Sequence, residues 1–156
     1  MEFNIDKYED IDKQEFIWSD DAMNFLWEIP ILDNPIGAVA YQRLLNTHIA
    51  NILGSAKYLN CPVIMDGDDI MVQKEFTQGG VTQQEGKASV SITYVKSGVA
   101  LGHTAINITA GKKAPAFAFS TNFNDNQINE FMSDVQKTFY ELNDDMFVAT
   151  SKVIIK

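Results

Sequence analysis

Apolar residues along the chain change their spacing twice, and each change marks a different kind of element. Over residues 35–58, Tyr41, Leu45, Ile49, Ile52 and Ala56 recur at steps of three or four, the spacing of a helix with one core-facing stripe. Asn34 stands where a cap is needed, and Pro35 takes the first helical position, where its missing N–H costs nothing. A second helix is predicted from Asn124, with Gln127 three residues on as a capping box and Ile128, Phe131, Met132, Val135, Phe139 and Leu142 as its stripe. A shorter helix is read over residues 20–28, with Ser19 as cap, Asp20 and Asp21 in the first turn, Trp18 stapled onto Met23, and Pro30 as the stop.

From Cys61 the period becomes two. Residues 62–65 and 70–76 flank Asp66-Gly67-Asp68-Asp69, a turn between apolar runs, and predict a hairpin. Residues 78–86 read as a polar loop. Residues 87–96 and 99–109 predict two strands joined at Ser97-Gly98. A two-residue connection there pairs Tyr94 with Leu101, Ile92 with His103 and Val90 with Ala105, and puts those six side chains on one face. The opposite face, with Ser89, Ser91, Thr93 and Thr104, is only half polar. Residues 115–120 predict a further strand with Phe117 and Phe119 on one side, and residues 146–155 a closing one.

Helices, then hairpin-linked strands, then a helix and a strand describe an α+β protein. The expected architecture is one antiparallel sheet of about five or six strands with two or three helices on one face. Alternating βαβ units are absent, which argues against a doubly wound nucleotide-binding fold. With no repeat, low-complexity tract or Gly/Pro/Ser-rich linker, residues 1–156 read as a single domain: an acidic arm over 1–34 and an α+β body over 35–156.

The charge is where that arm becomes visible. The formal net charge is −9. Residues 1–34 hold ten acids and two bases, and the remaining 122 residues are nearly balanced. So acidic a chain lacks the basic footprint that nucleic acid or an anionic membrane requires. No stretch approaches the roughly 18 apolar residues of a membrane span, and the first residues lack a basic, then apolar, leader. The chain reads as soluble, and as cytoplasmic or part of an assembled particle. One cysteine, Cys61, allows neither an intrachain disulfide nor a cysteine-based zinc site.

Motifs for chemistry are few. There are two histidines. His48 lies in or beside the apolar stripe of its helix, and His103 on the face with Ile92 and Leu101. If the protein is an enzyme or a small-ligand binder, these two are the candidate acid and base, on a nucleotide or phosphoester. Alanine follows each at the second position, Ala50 and Ala105, where a phosphate-holding hydroxyl would be wanted. No nucleophile elbow or phosphate-binding glycine loop occurs, and the Asp66 turn lacks the oxygen ligands and terminal glutamate of a calcium loop. No cofactor and no metal site is expected.

The aromatic residues of the arm therefore carry the leading expectation. Trp18, Asp20, Asp21, Phe25, Trp27 and Glu28 form an apolar group rimmed by acids, the composition of a protein-binding patch. They point to a non-enzymatic binding or assembly protein, self-associating or an adaptor, of the chaperone or viral structural type. Its partner would be another protein or a second copy, as a homo-oligomer. A further alternative is an inhibitor mimicking nucleic acid with the arm and Asp66, Asp68 and Asp69; its binding would weaken steeply with salt.

Overall fold

The computed structural model describes residues 18–30 and 34–154. Ten elements follow in order: β1 (Asp21–Ile29), α1 (Pro35–Gly54), β2 (Val63–Asp66), β3 (Asp69–Val72), β4 (Phe76–Gln78), β5 (Val81–Gln83), β6 (Gly86–Lys87), β7 (Ser89–Lys96), β8 (Val99–Thr109) and α2 (Asp125–Thr150). The class is α+β, as read from the sequence. The strands number eight among the described residues and divide into three sheets, β1-β8-β7, β2-β3-β6 and the β4-β5 hairpin, rather than one sheet.

The central hairpin has the expected register, with Tyr94 opposite Leu101, Ile92 opposite His103 and Val90 opposite Ala105. Ser97 and Gly98 both take positive φ, the conformation of a two-residue turn whose twist matches the strands. The β2–β3 hairpin also forms around Gly67-Asp68, with Asp66 opposite Asp69. Both helix starts are as predicted. Asn34 accepts from Ile36 N at 2.9 Å, and Asn124 and Gln127 make the reciprocal capping box.

Four elements differ from their expectation, each for a physical reason. Residues 20–28 are not a helix: β1 forms there, antiparallel to β8. Met23, Phe25, Trp27 and Ile29 alternate with Asn24 and Glu28, so one face of an extended chain collects four large apolar groups that a helix would scatter. Leu26, on the outer face, obscures this alternation. Residues 78–86 contain β5 and the Gly79-Gly80 turn of a tight hairpin, both glycines at positive φ. Residues 115–120 make a single parallel bridge, Lys87 with Ala118, and Phe119 is buried while Phe117 is exposed. Finally, α2 continues through residues 146–150, where a strand was expected. Asn143-Asp144-Asp145 contains no glycine or proline to stop a capped helix, and Asn143 donates to Phe139 O inside it. Two helices are therefore present among the described residues.

The core lies between the inner face of the β1-β8-β7 sheet and the two helices. Met23, Trp27 and Ile29 of β1 meet Tyr41, Leu45 and Ile49 of α1 and Phe131 and Val135 of α2. Aromatic edges hold the layers together: Trp27 on Tyr41 at 4.8 Å between centroids, Tyr58 on Phe131 at 5.1 Å, Phe25 on Phe131 at 6.1 Å. Helix α1 ends at Gly54 rather than near Tyr58. There a β-carbon would come within 2.8 Å of Cys61 O, and the chain turns back through Asn60 at positive φ. Most of the acidic arm, residues 1–17 and 31–33, lies outside the described residues.

Candidate functional site

Strand β1 is at the edge of its sheet, with β8 on one side and no strand on the other among the described residues, and helix α2 packs against its inner face. Between β1 and α2 lies a cleft of ≈ 460 Å³, within the range of pockets that take small ligands or peptide side chains. The strand supplies Asn24, Phe25, Leu26 and Trp27; the helix supplies Asn129, Met132, Ser133, Gln136, Phe139 and Tyr140 among others. Amides and hydroxyls alternate with apolar groups around the wall. The lining contains no carboxylate, amine, imidazole, guanidinium or thiol, so no general acid or base near neutral pH faces the space. Its chemistry is that of contact: hydrogen bonding by neutral groups of both polarities beside apolar surface, next to a strand whose outer backbone groups face away from β8.

The sequence-predicted residues divide around this cleft. Phe25 and Trp27 line it from the inner face of β1; Phe25 is half-buried and Trp27 buried, so neither forms an exposed patch. Trp27 Nε1 is buried without a hydrogen-bond partner. Trp18, Asp20 and Asp21 sit at the start of β1. Trp18 Nε1 donates to the Asp20 carboxylate at 2.7 Å, and Lys113 lies over the Trp18 ring at 4.4 Å. The Asp20 carboxylate abuts Gly111, which holds φ +86. Glu28 is exposed on the outer face of β1. The six residues thus do not form one patch; the strand turns them to different sides.

His48 and His103 are not brought together. His103 is on the outer face, its Nε2 2.9 Å from Asn24 Oδ1, whereas α1 packs on the inner face, so the sheet lies between the two histidines. No cluster of metal-ligating side chains occurs among the described residues. Asp69 is paired with Lys87 at 2.8 Å. Cys61 is half-buried, and burial pushes its thiol up, against the opposing pull of Lys74.

Two further polar groups are structural. Between α1 and the sheet, Gln42 and Asn46 donate to Ser91 Oγ at 2.9 and 3.1 Å, Thr104 Oγ1 donates to Asn46 Oδ1 at 2.8 Å, and Asn46 also donates to Asp68 O at 3.2 Å. These partners satisfy one another, and the network seats α1 on the half-polar face of the hairpin. At the far end of α1, Asp134 of α2 accepts from Lys57 at 2.8 Å and Tyr58 at 2.6 Å. Those bonds, Lys57 first, hold the Asp134 carboxyl below the usual carboxylate range, and burial pushes the Tyr58 hydroxyl up to about 12. The sequence named Met132, Val135 and Phe139 of α2's lining by periodicity, and Phe25 and Trp27 of β1's as interface aromatics, but placed the latter on a helix. The signal that would have found the strand is the alternation of Met23, Phe25, Trp27 and Ile29.

No helix among the described residues is long and apolar enough to cross a membrane. Against known proteins, the family described as "Domain of unknown function (DUF366)" matches residues 2–154. A solved structure titled "Protein of Unknown Function from Pyrococcus horikoshi" is similar in fold, with a TM-score of 0.70 and 21% identity, covering 88% of this chain and 66% of that one. The chain therefore spans just under two thirds of that neighbour's length. A comparison with the curated proteins found no match.

Proposed function

The chain belongs to the DUF366 family, and we propose that it is a non-enzymatic binding module whose β1–α2 cleft takes an extended peptide segment as an added strand. The observation that carries this is the pairing of an edge strand with a cleft lined by neutral polar and apolar groups alone. A peptide backbone presents N–H and C=O groups in alternation. The outer edge of β1 can pair with them, and Asn24, Asn129, Ser133 and Gln136 can donate or accept at the flanks. Side chains on the inner face of the added strand would then lie against Met132, Phe139 and Tyr140 of α2, and those on its outer face beside Leu26. Strand β1 and helix α2 together carry eight acids and one base, so a neutral or basic segment suits the cleft better than an acidic one. The reading that joins His48 and His103 on one small ligand loses support, because the sheet separates them.

The test is selection of short peptides on the full chain, followed by NMR shift mapping. Bound peptide should move the amides of residues 24–27 and 129–140 together. Ser133→Trp, which fills the cleft, should weaken binding by about tenfold or more while leaving the melting temperature nearly unchanged. A selection that yields no binder, or shifts confined to β7 or to the exposed face of α1, would falsify the proposal.

A further inference from the structure

The outward face of the β1-β8-β7 sheet carries Leu26, Ile92, Tyr94 and Leu101 among the polar Asn24, Glu28, His103 and Lys96, and no described element covers it, since both helices pack on the other side. Leu26 is 78% exposed there and Tyr94 42%. The register places Leu26, His103 and Ile92 in one row across the sheet and Glu28, Leu101 and Tyr94 in the next. Lys96 follows Tyr94 by two residues on the same face, at the turn end of the hairpin opposite Val99. One edge strand therefore ends in a carboxylate and the opposite edge in an ammonium, both at the same end of the sheet.

From this arrangement we infer that the face is a homodimer interface, occupied by a second copy related by a two-fold axis parallel to the strands. Such an axis exchanges the two edges and keeps the two ends. It lays β1 of one copy over β7 of the other and brings each Glu28 towards the partner's Lys96, twice per dimer. Lys96 is one pleat repeat beyond the Glu28 row, about 7 Å along the strand, which two long side chains span. Leu26, Ile92, Tyr94 and Leu101 would interdigitate with their copies as in a two-sheet sandwich, with the sheets about 10 Å apart and His103 of the middle strand facing its copy near the axis. Opposite charges on the two edges are complementary to a two-fold copy of the same face, which pairs each edge with the other.

Sedimentation velocity on the full chain, from low to high micromolar concentration, tests this. A concentration-dependent monomer–dimer equilibrium is expected. Glu28→Lys and Lys96→Glu should each raise the dimer dissociation constant by about tenfold or more, and the double exchange should restore it, because like charges face each other only in the single variants. Ile92→Asp should leave a monomer. Lys96 and Ile92 lie on β7, away from the β1–α2 cleft, so peptide binding should survive Lys96→Glu and Ile92→Asp, and failure here leaves that reading standing. A monomer at every concentration would overturn the inference. So would a dimer indifferent to both single charge reversals, and so would one that the double exchange fails to restore. If Ile92→Asp does not fold, the charge-exchange set decides alone.

Discussion

Gly102 lies directly under the indole of Trp27, so that a β-carbon there would collide with Cε2, Cζ2 and Nε1 of the ring. The glycine is needed for close approach, not for its backbone freedom. It lets a large aromatic side chain lie flat on the middle strand and meet Tyr41 edge-on. Gly102→Ala should therefore destabilise the protein by about 1–3 kcal/mol through overpacking, read as a lower urea midpoint with a shift in tryptophan emission. An unchanged midpoint would mean that the ring moves aside freely. The same scale explains the half-polar inner face of the hairpin. The sequence marks the face of Ser91 and Thr104 as half polar without saying where it points; Thr104 is fully buried there, because Gln42 and Asn46 of α1 supply the hydrogen bonds. No periodicity of the strands alone reveals that, since the satisfying groups are some 45 to 58 residues away.

The elements were legible in proportion to how much of their stability is local. Both long helices have their caps and stripes within a few residues of each other, and both begin where the sequence placed them. Strand β1 has no hairpin partner next to it; its ladder is with β8, about eighty residues later, and its first residues imitate a helix cap. At this scale Asp134 clamps α2 to the end of α1. Its pKa is lower folded than unfolded, so its contribution is present above the ordinary carboxylate pKa of about 4 and is lost as pH falls through the lower folded value. Lys57, Tyr58, Lys137 and Glu130 surround it. The melting-temperature gap between the native chain and Asp134→Asn should be steady at neutral pH and close in acid. A gap that stays constant as the pH is lowered through the acid range would contradict the assignment.

Across the whole molecule, one core is shared by the β1-β8-β7 sheet, the β2-β3 hairpin and both helices, whereas β4-β5 pairs only within itself and is anchored through Phe76 on Phe119 at 5.2 Å. Hydrogen exchange should follow that difference. Amides of β7 and β8 should exchange only by global unfolding, and those of β4 and β5 by local opening at rates at least about a hundredfold faster. Equal protection would show that the small hairpin belongs to the cooperative unit. Both proposed surfaces also belong to this scale. The cleft exists because α2 lies against the edge strand β1, and the outer face is left open by the described elements because both helices pack on the inner side.

The amino-acid sequence by itself determined the α+β class, the central hairpin with its register, the β2–β3 turn and the helix starts. In each case the deciding interactions are between neighbours in the chain: a turn of two residues, a cap three residues from its donor, a stripe of constant period. Only the tertiary structure decided that residues 21–29 extend, which side of the hairpin faces inward, that His48 and His103 are apart, and that a cleft opens between β1 and α2. Those depend on burial shared among segments far apart in sequence, where a local preference worth a few tenths of a kcal/mol yields to the several kcal/mol gained when Met23, Trp27 and Ile29 enter a common core.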